Sequence, residues 1–291
     1  MNIDKELVHH LIAQQFPQWK DLSIEPIVPG GWDNRTFRLG EHMLIRMPSA
    51  AEYAAKVAIE QRWLPFLAPQ LSIEMPIPLA MGNPGCGYPW NWSVYSWIEG
   101  ETVAAARNLD LCKVARDLAH FLKNLQNVEA PAGAPEPGAH NFYRGASLAV
   151  YDAQTRQALE ILKAKIDTKI IMEIWESALT TKWQDKPVWL HGDIAAGNLL
   201  VRDGKLVAVI DWGGMAVGDP ACDLALAWTL FKQESRKIFQ ETVALDPATW
   251  ARGRAWALWK ALIVAASIVK APADQRQQCW QIIQEIVEDK S

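Results

Sequence analysis

No apolar run in this sequence approaches the ~18–20 residues that a membrane-spanning helix needs. The most apolar stretch, Ala261 to Val269, is far shorter. There is no excess of positive charge either: 29 Lys and Arg stand against 33 Asp and Glu, a net charge of −4. That balance argues against a non-specific binder of nucleic acid or of an anionic membrane, which would carry a basic patch or tail. Cysteine is scarce. Cys86, Cys112, Cys222 and Cys279 are widely spaced, form no CxxC pair and have no histidine beside them. Four reduced thiols are expected, rather than a disulfide or a zinc site. The opening MNIDKELVHH lacks a basic segment followed by an apolar one. No signal peptide is therefore expected, and the expected location is cytoplasmic. There is no G-x4-G-K-[ST], which removes the P-loop NTPases from consideration. What remains is globular composition, 50% hydrophobic and 21% charged, in 291 residues. That length suits one large domain or two lobes.

Tryptophan is the one residue in excess, with 15 against 7 Phe and 5 Tyr. Its large apolar area and single N–H serve cores, interfaces and stacking sites alike, so the count alone does not choose between them. Six of them (Trp63, Trp175, Trp183, Trp228, Trp256 and Trp259) fall in expected helices and read as packing residues.

The first ~100 residues read as mixed structure, about the size of a small lobe. The stripe Leu7, Val8, Leu11, Ile12 marks a helix over 4–15. Short β-prone runs at 23–28, 36–39 and 43–47, separated by Gly30-Gly31 and Gly40-Glu41, predict antiparallel hairpins. A helix over 50–67 follows, then proline-rich punctuation, then a β-like run at 92–98 closed by Glu99-Gly100. Beyond this the pattern turns helical, with helices expected over 109–125, 152–162 and 166–183 and from about Pro220 onward. Three short strands at 188–190, 198–201 and 206–210 interrupt it, the last two joined at Asp203-Gly204. The expected division is an N-terminal nucleotide-binding lobe over 1–98 and a helical lobe over 99–291 that carries the catalytic loop.

The chemistry concentrates in His191-Gly192-Asp193-Ile194-Ala195-Ala196-Gly197-Asn198, followed by Asp211-Trp212-Gly213. Asn198 opens one strand of the expected hairpin and Asp211 ends the other, so their oxygens can converge on one hard cation. Mg²⁺ prefers such oxygen ligands and leaves room for phosphates and water. Asp193, on the same loop, is placed to orient a hydroxyl and take its proton. An Asp, four intervening residues, an Asn, then Asp-x-Gly is the spacing of the phosphoryl-transfer template. An isolated Asp or Asn near a strand end usually makes a turn or a cap; three in this order point to function. Asp219 and Asp223 read as structural, Asp219 because it stands before Pro220 at an expected helix start.

On these residues the sequence resembles the aminoglycoside phosphotransferase family of small-molecule kinases, related in fold to protein kinases and to choline and homoserine kinases. The stretch Gly218-Asp219-Pro220-Ala221-Cys222-Asp223-Leu224-Ala225 resembles the family's continuation as well. The resemblance implies an α+β, protein-kinase-like bilobal fold, with a small β-rich N-terminal lobe and a larger, mainly helical C-terminal lobe. It implies ATP (or GTP) and Mg²⁺ as cofactors and a small-molecule hydroxyl as acceptor, with no nucleic acid or membrane partner, in a monomer or homodimer. Carried over, Asp193 becomes the catalytic, hydroxyl-orienting residue and Asn198 and Asp211 the Mg²⁺ ligands, while His191 holds the loop. Gly30 and Gly31 become a lid over the phosphates, although G-x-G-x-x-G is missing. The Ser96 carbonyl and Ile98 amide would meet the adenine edge at the hinge. One departure stands out: Arg46 occupies the place of the usual phosphate-contacting Lys, with Glu60 as its expected partner and Lys56 as a competing cation. Arg is not a neutral swap for Lys.

Trp97, Trp212 and Trp32 are expected around the nucleotide site, and Trp90 and Trp92 lead into the hinge strand. The acceptor is left open between an aminoglycoside-like antibiotic, which would make this a resistance enzyme, and a metabolite such as choline, homoserine or a sugar-like compound. A catalytically silent nucleotide-binding protein and a metal-dependent hydrolase are the other readings. A polycationic acceptor would call for an acidic cleft, for which Glu234, Glu241, Asp246, Glu285, Glu288 and Asp289 are available.

Overall fold

A computed structural model describes residues 2–28, 30–31 and 33–289. Asp4 opens the first helix, α1 (Lys5–Gln15), by accepting the Leu7 amide on its side chain. The helix buries Val8, Leu11 and Ile12 against a five-stranded antiparallel sheet. That sheet contains β1 (Ile24–Pro26), β2 (Asn34–Leu39), β3 (Met43–Pro48), β4 (Pro78–Gly82) and β5 (Trp92–Ser96), in the order β1-β2-β3-β5-β4. Between β3 and β4 the chain forms α2 (Ala51–Leu67). The alternation of β2 and β3 sends Phe37, Leu39, Ile45 and Met47 into a core shared with Trp92 and Val94. Arg46, on the opposite side of β3, is left facing α2 and the second lobe.

The second lobe begins with β6 (Glu101–Thr102), which pairs with β8 (Leu199–Arg202); β8 pairs in turn with β9 (Lys205–Val209). A second small ladder joins β7 (Val188–Leu190) to β10 (Ala216–Gly218). The remainder is helical: α3 (Leu111–Asn127), α4 (Asp152–Leu162), α5 (Thr168–Leu179), α6 (Leu226–Thr229), α7 (Gln233–Val243), α8 (Pro247–Ala265) and α9 (Ala273–Glu288). The central α8 is buried along most of its length and packs against α4, α5 and α9. The architecture is the expected α+β one, a β-sheet region followed by a helical region.

Two local expectations change. The helix expected over 166–183 ends at Leu179, because the Thr180 and Thr181 hydroxyls turn back onto the Ser177 and Ala178 carbonyls. Trp183 therefore lies beyond the helix, donating its indole N–H to the Lys186 carbonyl at 2.9 Å. Among the described residues, no helix is long and apolar enough to cross a membrane.

Candidate active site

The loop from His191 to Asn198 is held from beneath. Asp223 accepts the His191 and Gly192 backbone N–H groups, one on each carboxylate oxygen, both at 2.7 Å. His191 is fully buried and accepts the Asp193 amide on Nδ1, which leaves Nε2 to carry the proton toward the Ile210 carbonyl at 3.1 Å. Burial lowers the His191 pKa to about 4, against the opposing pull of Asp193 and Asp211. The imidazole is thus a neutral spacer between the loop and the end of β9. Gly192 has φ +82, and a Cβ there would lie 2.2 Å from the Gly214 carbonyl oxygen. Only glycine fits this crossing of two backbones. Asp219 also has the expected structural role: it caps the turn at Ala221 and forms a buried two-point pair with Arg252, at 2.6 and 3.3 Å.

Asp193, Asn198 and Asp211 come together as expected, on the wall of one cleft of about 520 Å³. The β8–β9 ladder accounts for the approach, since Leu199 lies opposite Val209 and Ile210 donates to the Asn198 carbonyl at 2.9 Å. Asn198 donates its side-chain amide to the Asp193 carbonyl at 2.9 Å. Asp211 has a left-handed backbone, φ 65. No group of three or more His, Cys, Asp and Glu that could hold a metal ion occurs among the described residues. The side-chain oxygens of Asp33, Asp193, Asn198 and Asp211 all line the cleft.

Arg46 meets Glu60 at 2.9 Å and Asp211 at 2.5 Å. Burial opposes its charge, but the Asp211 and Glu60 carboxylates more than offset this and hold the guanidinium protonated beyond even the ordinary arginine range. Glu60 is itself buried and accepts the Tyr95 hydroxyl at 2.6 Å. It stands behind Arg46 rather than on the cleft wall. Lys56, the competing cation, pairs at 2.6 Å with Asp33, which lines the same cleft.

Gly30, Gly31, Ser96 and Ile98 also line the cleft. The Ser96 and Trp97 amides are used by the Ile77 and His42 carbonyls, which fixes the course of the hinge strand. Trp97 lines the cleft, with the Arg38 guanidinium 3.7 Å over its ring and its indole N–H buried without a partner. The expectation for the other tryptophans is corrected. Trp212 is fully buried, donates to the Val209 carbonyl and packs edge-on against Phe121 and His191, away from the cleft. Trp92 is core, Trp90 packs on Tyr88, and Trp32 lies outside the described residues.

Two residues at this site have no signature in the sequence. Arg144 donates to Asp193 Oδ1 at 3.0 Å, and Lys260 of α8 lies 3.6 Å from the same oxygen. Burial alone would raise the Asp193 pKa, but Arg144 and then Lys260 hold it well below the usual carboxylate range.

A family model described as "Phosphotransferase enzyme family" matches residues 24–256. An uncharacterized protein of Bacillus subtilis (strain 168), YcbJ, is 22% identical over 242 residues, covering 75% of this chain and 71% of that one. An Escherichia coli aminoglycoside 3'-phosphotransferase is 36% identical over 58 residues, 20% of this chain and 21% of that one. Among solved structures, the GDP complex of wild-type aminoglycoside 2'-phosphotransferase-IIIa superposes with a TM-score of 0.74 at 17% identity, covering 98% of this chain and 99% of that one. Macrolide 2'-phosphotransferase MphH from Brachybacterium faecium superposes with a TM-score of 0.64 at 22% identity, again over 98% and 99%. At these identities the two structures share the fold.

Proposed function

Because this chain belongs to the phosphotransferase enzyme family, we propose that it transfers the γ-phosphoryl group of ATP or GTP to a hydroxyl group of a small molecule. The observation that carries this reading is the single cleft shared by Arg46, Asp193, Asn198, Asp211 and the 96–98 segment that follows from β5. In this reading Arg46 holds phosphate oxygens, Gly30 and Gly31 close over them, and the backbone at Ser96 and Ile98 meets the base. Asn198 and Asp211 would hold Mg²⁺, a hard cation that takes few protein ligands and neutralises phosphate charge. Asp193 orients the acceptor hydroxyl and receives its proton. A carboxylate held so acidic is a weak base, so its contribution is chiefly alignment and electrostatics, as suits phosphoryl transfer. The unpaired thiols support a cytoplasmic setting.

The test is transfer of label from γ-labelled ATP or GTP, in the presence of Mg²⁺, to a panel of aminoglycosides, macrolides, choline and homoserine. Asp193→Asn is expected to lower transfer by about 10²–10⁴-fold, the range for a positioned acid–base group, while retaining nucleotide binding. Full activity in that variant would overturn the assignment of Asp193. Nucleotide binding with no transfer on a much wider acceptor library would favour the silent nucleotide-binding reading.

A further inference from the structure

Asp193 has two sides. One belongs to the cleft that Gly30, Arg46, Ser96 and Asp211 also line, whereas Arg144 and Lys260, which contact its Oδ1 at 3.0 and 3.6 Å, do not line that cleft. These cations arise far apart in the chain, Arg144 in the loop before α4 and Lys260 on α8, and converge on one Asp193 oxygen on the side outside the cleft lining. That is the side from which an acceptor hydroxyl must reach Asp193 if the γ-phosphoryl group arrives through the cleft.

The charge there is the opposite of what a polycationic acceptor requires. Arg144 and Lys260 make their ion pairs with Asp193 among the described residues, so two positive charges face one negative one. Four of the six carboxylates available for an acidic wall are engaged elsewhere. Glu285 pairs with Lys232 and Arg236, Asp289 pairs with Arg236, Glu241 pairs with Lys237, and Asp246 caps α8. Asp223 is close beneath the loop, but both its oxygens are taken by backbone N–H groups. An ammonium-bearing molecule approaching Asp193 would meet two like charges already paired with that carboxylate, which is how a site rejects a partner as well as selects one. The neighbouring surface is aromatic: the Phe142 ring lies 5.6 Å from the Arg144 guanidinium, and Phe142 and Tyr143 are exposed.

Resting on the kinase reading above, we propose that the acceptor is an anionic hydroxy compound whose carboxylate or phosphate is held by Arg144 and Lys260 while its hydroxyl binds Asp193. An Arg fork and a Lys ammonium suit either anion. In the transfer, the acceptor oxygen forms the new bond to the γ-phosphorus and the bond from that phosphorus to the β,γ-bridging oxygen breaks. The electron pair leaves with the nucleoside diphosphate, and the hydroxyl proton passes to Asp193.

The test is calorimetric titration of the protein, loaded with Mg²⁺ and a non-hydrolysable ATP analogue, with D-glycerate, glycerol 3-phosphate, glycerol and kanamycin. One of the two anions is expected to bind at least about tenfold tighter than glycerol, with no binding of kanamycin, and which anion wins identifies the group recognised. Lys260→Glu is expected to weaken that binding at least about tenfold and Lys260→Arg to restore it. The Lys260 side chain is 56% exposed, so these changes leave the core intact. Glycerol or kanamycin binding as tightly as the anions, or anion binding indifferent to Lys260→Glu, would overturn the proposal. Bound nucleotide without bound anion overturns it too and leaves the kinase reading standing; failure of the analogue itself to bind overturns both.

Discussion

Arg46 on β3 and Asp211 after β9 form an ion pair of 2.5 Å across 165 positions of sequence. The same guanidinium meets Glu60 on α2 at 2.9 Å, so one planar fork ties the β-sheet region, its helix and the end of the β8–β9 hairpin together. The Arg46 side chain is only 13% exposed, which makes each contact stronger than its surface equivalent.

A lysine at this position could not span both carboxylates with parallel bonds. Arg46→Lys is expected to raise the KM for nucleotide about tenfold, the ~1.4 kcal/mol of one charged hydrogen bond. Steady-state kinetics at varied ATP check this. Glu60→Ala leaves the buried Arg46 guanidinium with Asp211 alone and strands the Tyr95 hydroxyl, and is expected to lower stability by about 3 kcal/mol in urea unfolding.

Asp211→Asn keeps the shape of the side chain but removes its charge. If Asp211 holds Mg²⁺, the wild-type protein binds nucleotide about tenfold tighter in Mg²⁺ than in EDTA, and the variant loses most of that difference. Equal Mg²⁺ dependence in the two proteins would remove Asp211 from the metal site.

Two glycines on the same loop make a paired test. Gly192→Ala puts a methyl group 2.2 Å from the Gly214 carbonyl at φ +82, whereas a Cβ at Gly197 meets nothing within 4 Å. Gly192→Ala is expected to cost about 2–4 kcal/mol and most of the activity, and Gly197→Ala no more than about 1 kcal/mol. Thermal melts of both variants decide it.

His191 is expected to shape the acid limb of stability. Its pKa is 6.5 when unfolded and about 4 in the fold, so between these values the unfolded chain binds more protons. Its contribution is complete above pH 6.5 and is lost as pH falls toward 4. The loss is on the order of 3 kcal/mol at full effect. Urea unfolding from pH 7 to 4 should show a shallower decline for His191→Gln than for the wild-type chain. Parallel curves would assign the acid limb to other groups.

Asp193, Asn198 and Asp211 were legible because they lie within one short stretch whose strands and turns are set by neighbouring residues. Arg46 and Glu60 were legible for a similar reason, as a strand and the helix after it are joined by a short link. Trp212 was misplaced because adjacency in sequence was read as adjacency in space. The left-handed backbone at Asp211 and the apolar surroundings of Phe121 and His191 carry the indole into the core instead. The helix ending at Leu179 was missed because two threonine hydroxyls compete with the helical ladder, which periodicity does not register.

The sequence by itself determined which residues carry oxygen donors at phosphoryl-transfer spacing, where the strands and most helices lie, and that no basic or membrane-spanning segment dominates the chain. Tertiary structure alone decided what surrounds those donors. Arg144 and Lys260 reach Asp193 from positions 49 residues before and 67 residues after it, and Lys56 pairs with Asp33. The reason is physical: hydrogen-bonded turns and side-chain periodicity act over a few residues, whereas the charge around a half-buried carboxylate depends on which distant elements pack against it.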